Sequence, residues 1–223
     1  LYLSCFDGSH AFLFTADMAA DSSLMNGKFY SGLKSVENWT AKRNEKAELP
    51  DAYQLTYLKP GFDKISFTFP DADGKKVSLS DTAFQNKVVI LQIMGSWCPN
   101  CIDETAYLTD FYGRYYGKGV EIIGLAYERS PEFEKAKKNV DRLRQRFYIT
   151  YPILIAGTND KVKAQATLPM LNQVLGFPTT IIIDKKGKVN RIHTGFNGPG
   201  TGEHYTKFVT EFESLIDQLL AEK

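Results

Sequence analysis

One junction in the chain constrains the fold more than any other. Lys87-Val88-Val89-Ile90-Leu91-Gln92-Ile93-Met94 is nearly all apolar and rich in β-branched residues, the composition of a strand buried on both faces. It runs directly into Gly95-Ser96-Trp97-Cys98-Pro99-Asn100-Cys101, after which the apolar period changes. Ala106, Leu108, Phe111, Tyr112 and Tyr115 then recur at helical spacing. Pro99 suits an opening helical turn, where its missing N–H needs no partner. Asp103 and Glu104 are expected in the first turn, where the helix dipole favours negative charge. A chain built this way has to place Cys98 and Cys101 where a buried strand hands over to a helix.

A C-x-x-C pair in that setting suits thiol–disulfide exchange. The partial positive charge of a helix N-terminus stabilises a thiolate on Cys98, and such placement brings a cysteine pKa into the range of roughly 3.5–7.5. Two blander uses of the pair fit less well. A structural zinc site needs a full tetrahedral ligand set, and the sequence adds only Cys5, with His10, His193 and His204 unpaired at ligand spacing. An inert disulfide across so short a loop would restrain the unfolded chain little.

With 223 residues, 43% of them hydrophobic, the chain can bury a core as one large domain or two small ones. Its 27 Lys and Arg balance 26 Asp and Glu, which leaves no electrostatic footprint for nucleic acid or an anionic membrane. No apolar run reaches membrane-spanning length. The first residue is Leu1 rather than Met, so the start is expected to have been processed or trimmed, and membrane attachment would need a removed N-terminal signal or lipid anchor. Leu1-Tyr2-Leu3-Ser4-Cys5 is faintly similar to the end of a bacterial lipoprotein signal, but Tyr2 stands where Leu is usual. Cys5 is therefore expected as a small buried strand residue.

Residues 1–61 read as a β-rich accessory module, complete or the end of a larger one. A hairpin joins Leu1–Phe6 to His10–Thr15 around Asp7-Gly8-Ser9. A turn-like patch covers 22–27, short strands cover 28–33 and 38–43, and 52–58 precedes the Pro60-Gly61 break. From Phe62 the pattern is regular. A hairpin spans 65–69 and 76–79 around Asp71-Ala72-Asp73-Gly74, and a second core strand covers 120–126. A charged segment at 131–146 carries an apolar stripe of Phe133, Ala136, Val140, Leu143 and Phe147. A strand at 151–156, one or two short helices within 161–175 and a hairpin at 179–184 and 188–194 follow. Phe208, Phe212, Leu215, Ile216 and Leu219 share one face of a closing helix at 205–221.

This order of elements resembles the thioredoxin fold, an α/β architecture. The hairpin at 65–79 and the long segment before Pro178 look like the TlpA/ResA group of bacterial thiol–disulfide oxidoreductases. The likeness covers about residues 62–223. It is carried by Trp97-Cys98-Pro99-Asn100-Cys101, Phe177-Pro178-Thr179, Gly187-Lys188-Val189 and Glu104. It implies a thioredoxin-like domain with an N-terminal β-hairpin extension, preceded by the small β-rich segment.

The resemblance also implies roles. Cys98 would be the attacking thiolate and Cys101 the resolving thiol. Pro178 would be cis, with the Phe177 backbone offered to an extended substrate segment. Trp97 would shield the disulfide, and Pro99 and Phe196 would line the substrate groove. Thioredoxins carry a buried Asp where this chain has Gln92, which cannot titrate, so Glu104 is expected to move the proton. No cofactor or metal is implied. The partners would be cysteine-containing proteins and a redox partner protein, and the location the bacterial cell envelope, in or facing the periplasm. The Pro-Asn dipeptide between the cysteines leaves the direction of electron flow open, with a reductase as the working expectation.

Two other functions fit the sequence less well. A peroxiredoxin-type peroxidase needs Thr where this chain has Gly95. A binding module with a non-catalytic redox domain fits poorly with the presence together of Cys98, Cys101 and Pro178. The glycine-rich run Gly195–Gly202 lacks the Lys-Ser/Thr of a phosphate loop, which argues against nucleotide binding.

Overall fold

The computed structural model describes residues 1–6, 11–33 and 35–222. The chain divides into two compact units, Leu1–Leu49 and Pro50–Lys223.

In the first unit β1 (Tyr2–Phe6), β2 (Ala11–Met18), β3 (Leu24–Ser31) and β4 (Ser35–Ala41) form an antiparallel meander in sequence order. Period-two alternation brings aromatic rings together: Phe14 stacks on Phe29 at 4.4 Å and meets Trp39 edge-on at 6.2 Å. The expected first hairpin is β1–β2, and its turn around Asp7-Gly8-Ser9 lies outside the described residues. Two expectations are corrected here. Leu24–Gly27 belong to β3; the turn comes earlier, with the Ala19 N–H bonded to the Ser23 carbonyl at 2.9 Å and Ser22 in the left-handed region. Cys5 is exposed rather than buried, because β1 is one of the two edge strands and none of its residues is covered.

The second unit is built on a five-stranded sheet. Its strands are β7 (Val88–Met94), β8 (Val120–Glu128), β9 (Ile153–Thr158), β10 (Thr179–Ile183) and β11 (Val189–Thr194), in the order β11-β10-β7-β8-β9. β7, β8 and β9 run parallel, while β10 is antiparallel to both β7 and β11. All of β7 is buried, and its residues divide by parity. Val88, Ile90 and Met94 face a layer made by α1 (Pro99–Tyr115), α2 (Phe133–Phe147) and α4 (Glu203–Ala221). Val89, Leu91 and Ile93 face Ile65, Phe67, α3 (Lys161–Thr167) and the hairpin of β5 (Thr68–Pro70) and β6 (Lys76–Ser78). Burial on both faces is why the strand reads as a continuous apolar run. Only one short helix, α3, forms within 161–175. Among the described residues no helix is long and apolar enough to cross a membrane.

The boundary between the units falls about a dozen residues earlier than the break expected at Pro60-Gly61. Residues 50–61 belong to the second unit as an irregular strap. The Thr194 N–H donates to the Ala52 carbonyl at 3.0 Å, the Thr56 and Thr194 hydroxyls bond at 2.9 Å, and the Lys59 N–H donates to the Met170 carbonyl at 2.8 Å. Asn172 donates its N–H to the Tyr57 carbonyl at 2.9 Å and accepts the Tyr57 N–H on its side chain at 2.9 Å. The strap satisfies its backbone with distant loop and strand groups rather than with a ladder of its own, so nothing periodic marks it in the sequence.

Candidate active site

Cys98 caps α1 and Pro99 opens it, as the missing N–H of proline allows. The Cys101 N–H donates to Cys98 Sγ at 3.3 Å. Cys98 is 6% exposed and Cys101 is fully covered. These surroundings split the pair. A hydrogen bond from the Cys101 thiol, helped by the N–H groups of Cys101 and Asn100, pulls Cys98 below the usual thiol range against the cost of its burial. Burial pushes Cys101 far up, and negative charge on Cys98 adds to that.

The Phe177–Pro178 bond is cis, and the Phe177 carbonyl accepts the Cys98 thiol at 3.5 Å. The loop is fixed from both sides. The Pro178 carbonyl accepts the Gly195 N–H at 2.8 Å, and the Thr179 hydroxyl donates to the Gly176 carbonyl at 2.9 Å. The Phe177 ring meets Trp97 edge-on at 5.6 Å, and the indole N–H donates to the Tyr127 carbonyl at 2.9 Å. Gly95 makes room for this fold-back, since an added Cβ there would overlap the indole nitrogen of Trp97.

Glu104 lies just past the first turn of α1, which holds no acidic side chain. It points inward and is 1% exposed. The Thr180 hydroxyl donates to one of its oxygens at 2.6 Å and Gln92 Nε2 to the other at 2.9 Å. Gln92 Nε2 also reaches the Cys101 carbonyl at 3.3 Å, and the Thr105 hydroxyl donates to that carbonyl at 2.7 Å. Burial pushes the Glu104 carboxyl up to about 7, with the Thr180 and Gln92 hydrogen bonds opposing. When ionised, its charge raises both thiols. Glu104 is therefore a buried titrating group rather than a surface carboxylate on the helix dipole, and the Gln92 that cannot titrate links it to the cysteine backbone.

Sequence reading missed Glu128, the last residue of β8. It is 1% exposed, and its carboxylate accepts the Ser96 N–H and hydroxyl, both at 2.8 Å, and Asn139 Nδ2 at 3.2 Å. It anchors the turn that carries Trp97 and Cys98. A glutamate closing the apolar run 122–127, at the same end of the sheet as the cysteines, was the available signal. Phe196, expected to line the substrate groove, is largely covered. Its ring is 8% exposed and packs against Phe208 at 5.2 Å, Tyr205 at 6.2 Å and Tyr107 at 6.3 Å. Pro99 is exposed beside Cys98, while Trp97 and Phe177 are half-buried. Among the described residues, no group of three or more His, Cys, Asp or Glu side chains is arranged to hold a metal ion.

Comparison with known proteins places this geometry in context. The Redoxin family pattern matches residues 60–207. The thiol-disulfide oxidoreductase ResA of Geobacillus thermodenitrificans is 33% identical over 142 residues, covering 64% of this chain and 73% of that protein. ResA of Bacillus subtilis is 28% identical over 138 residues, covering 62% of this chain and 69% of that protein. Among solved structures, a thioredoxin-family thiol:disulfide interchange protein from Chlorobium tepidum matches with a TM-score of 0.53 at 21% identity, covering 71% of this chain and 96% of that one. A secreted thiol-disulfide isomerase from Corynebacterium glutamicum matches with a TM-score of 0.56 at 19% identity, covering 79% and 97%. At those identities the structural matches speak for the thioredoxin-like fold.

Proposed function

The chain belongs to the Redoxin family and is a thiol–disulfide oxidoreductase of the ResA/TlpA type, and from that premise we propose that Cys98 and Cys101 reduce disulfides of extracytoplasmic proteins in the bacterial cell envelope. The Cys98 thiolate attacks one sulfur of a substrate disulfide. A mixed disulfide forms, and the other substrate sulfur leaves as a thiolate that takes up a proton. Cys101 then loses its proton and attacks Cys98 Sγ, which closes the Cys98–Cys101 disulfide and releases the second substrate thiol. Two electrons and two protons pass to the substrate, and a partner dithiol protein restores the pair. Glu104, with a carboxyl near neutrality, is the group suited to take the Cys101 proton. Trp97, Pro99 and Phe177 frame the approach to Cys98.

The reading rests above all on one contact: the Phe177 carbonyl at 3.5 Å from Cys98 Sγ, on a cis-proline loop that offers backbone to an extended peptide. For the direction we adopt reduction: ionised Glu104 opposes thiolates on both cysteines, unlike the stabilised reduced form of the strong oxidants of this fold, while hydrogen bonds to Cys98 act the other way. The test is trapping. Cys101→Ser should accumulate a mixed disulfide with a cysteine-containing protein, released by dithiothreitol, and Cys98→Ser should accumulate none. Adducts on Cys101 of the Cys98→Ser protein would reverse the assignment.

A further inference from the structure

Arg129 directly follows β8 and is exposed, yet its guanidinium is held in place. It lies over the Trp97 indole, 5.4 Å from the ring centroid. That indole is itself fixed by its bond to the Tyr127 carbonyl and its edge contact with Phe177, whose carbonyl touches Cys98. The adjacent carboxylate does not neutralise Arg129, because Glu128 turns both oxygens inward to Ser96 and Asn139. Among the described residues no carboxylate forms an ion pair with Arg129. A guanidinium held over an aromatic face by cation–π attraction still has N–H groups to offer a carboxylate arriving from solvent.

The carboxyl on the other side of the cysteines works the opposite way. Glu104 lies buried behind the pair, and when ionised it disfavours an incoming anion, so an acidic substrate needs a cation at the entrance. We propose that Arg129 reads substrate charge: the site favours disulfides that carry a carboxylate beside the attacked sulfur on the Trp97 side. This inference rests on the functional reading above and deepens it by naming a substrate class, acidic-flanked disulfides.

Single-turnover reduction separates the two claims. Reduced protein is mixed with glutathione disulfide, which is anionic, hydroxyethyl disulfide, which is neutral, or cystamine, which is cationic, and loss of protein thiols is followed. In each case Cys98 displaces one small thiolate and Cys101 the second, so the two electrons come from the protein and no added reductant is needed. Arg129→Gln should slow glutathione disulfide roughly twofold to fivefold, the size of one exposed charge contact. It should leave hydroxyethyl disulfide unchanged and speed cystamine. Arg129→Lys should keep most of the anionic preference. The differences should fade between 0.01 M and 1 M salt, as the screening length falls from about 30 Å to about 3 Å. Equal slowing of all three substrates in Arg129→Gln would make Arg129 a mere support for Trp97 and overturn the inference. Failure of the unsubstituted protein to reduce even hydroxyethyl disulfide would overturn the functional reading instead.

Discussion

Replacing Glu104 by Gln separates the charge of this side chain from its shape. An ordinary glutamate ionises near 4.5, and burial moves Glu104 to about 7. At about 1.36 kcal/mol per pKa unit, that gap corresponds to roughly 3 kcal/mol. The unfolded chain gives up this proton at the lower value, and the folded chain keeps it to the higher one. The stability it contributes is therefore complete below pH 4.5, declines as pH rises, and is lost once pH passes about 7. The substituted amide cannot ionise but can keep both partners, its oxygen accepting from Gln92 Nε2 and its NH2 group donating to the Thr180 hydroxyl. Urea unfolding of the two reduced proteins should coincide near pH 4 and diverge to about 3 kcal/mol in favour of Glu104→Gln near pH 8. The same charge raises both thiols, so the apparent Cys98 pKa, followed by thiolate absorbance, should fall in the variant. A stability difference that does not change with pH, or an unmoved Cys98 titration, would refute the assignment of a titrating carboxyl at Glu104.

Two further substitutions test the frame around the cysteines. Gly95→Ala forces the added Cβ against Trp97, so the indole must leave its bond to the Tyr127 carbonyl; a loss of about 1–3 kcal/mol with slower disulfide reduction is expected, and unchanged tryptophan emission with unchanged stability would contradict it. Glu128→Ala leaves the Ser96 N–H and hydroxyl without their acceptor and should cost about 3 kcal/mol in urea unfolding, while Glu128→Gln, which keeps one acceptor oxygen, should recover part of that loss; equal effects of the two would remove the carboxylate cage from the explanation.

The sequence carries some parts of this molecule plainly and others hardly at all, for physical reasons. β7 and β8 are legible because burial on both faces demands a nearly continuous apolar run, broken in β7 only by Gln92, and the cysteine pair announces the helix that follows. Cis-Pro178 was expected through the Phe-Pro-Thr motif and a family resemblance, and the Phe177–Pro178 bond is cis. Glu128 escaped because its meaning lies in a hydrogen bond to Ser96, 32 residues away. The strap at 50–61 escaped because it pairs with residues more than a hundred positions on and has no period of its own. Glu104 reads in the sequence both as a first-turn acid and as the proton-moving group beside the cysteines; it lies just past the first turn, and only packing shows it turned inward under Thr180. Phe196 shows a similar limit, since one aromatic residue in a glycine-rich loop reads the same whether it faces a groove or a cluster of rings.

The strap has a consequence for how the protein is made. The Thr56–Thr194 hydrogen bond joins residues 138 positions apart. At about 5–20 residues per second, the ribosome needs roughly 7–28 s to supply that second partner. Until such distant partners emerge, the strap groups that bond them have only water or a chaperone to bond to, and local turns such as Gln54 N–H to the Asp51 carbonyl are all the strap can close by itself. The first four strands face no such delay, since each pairs with its neighbour in sequence. Synthesis thus leaves a closed meander followed by an open segment, and the stretch of the redox domain that leaves the ribosome first is among the last to be fixed.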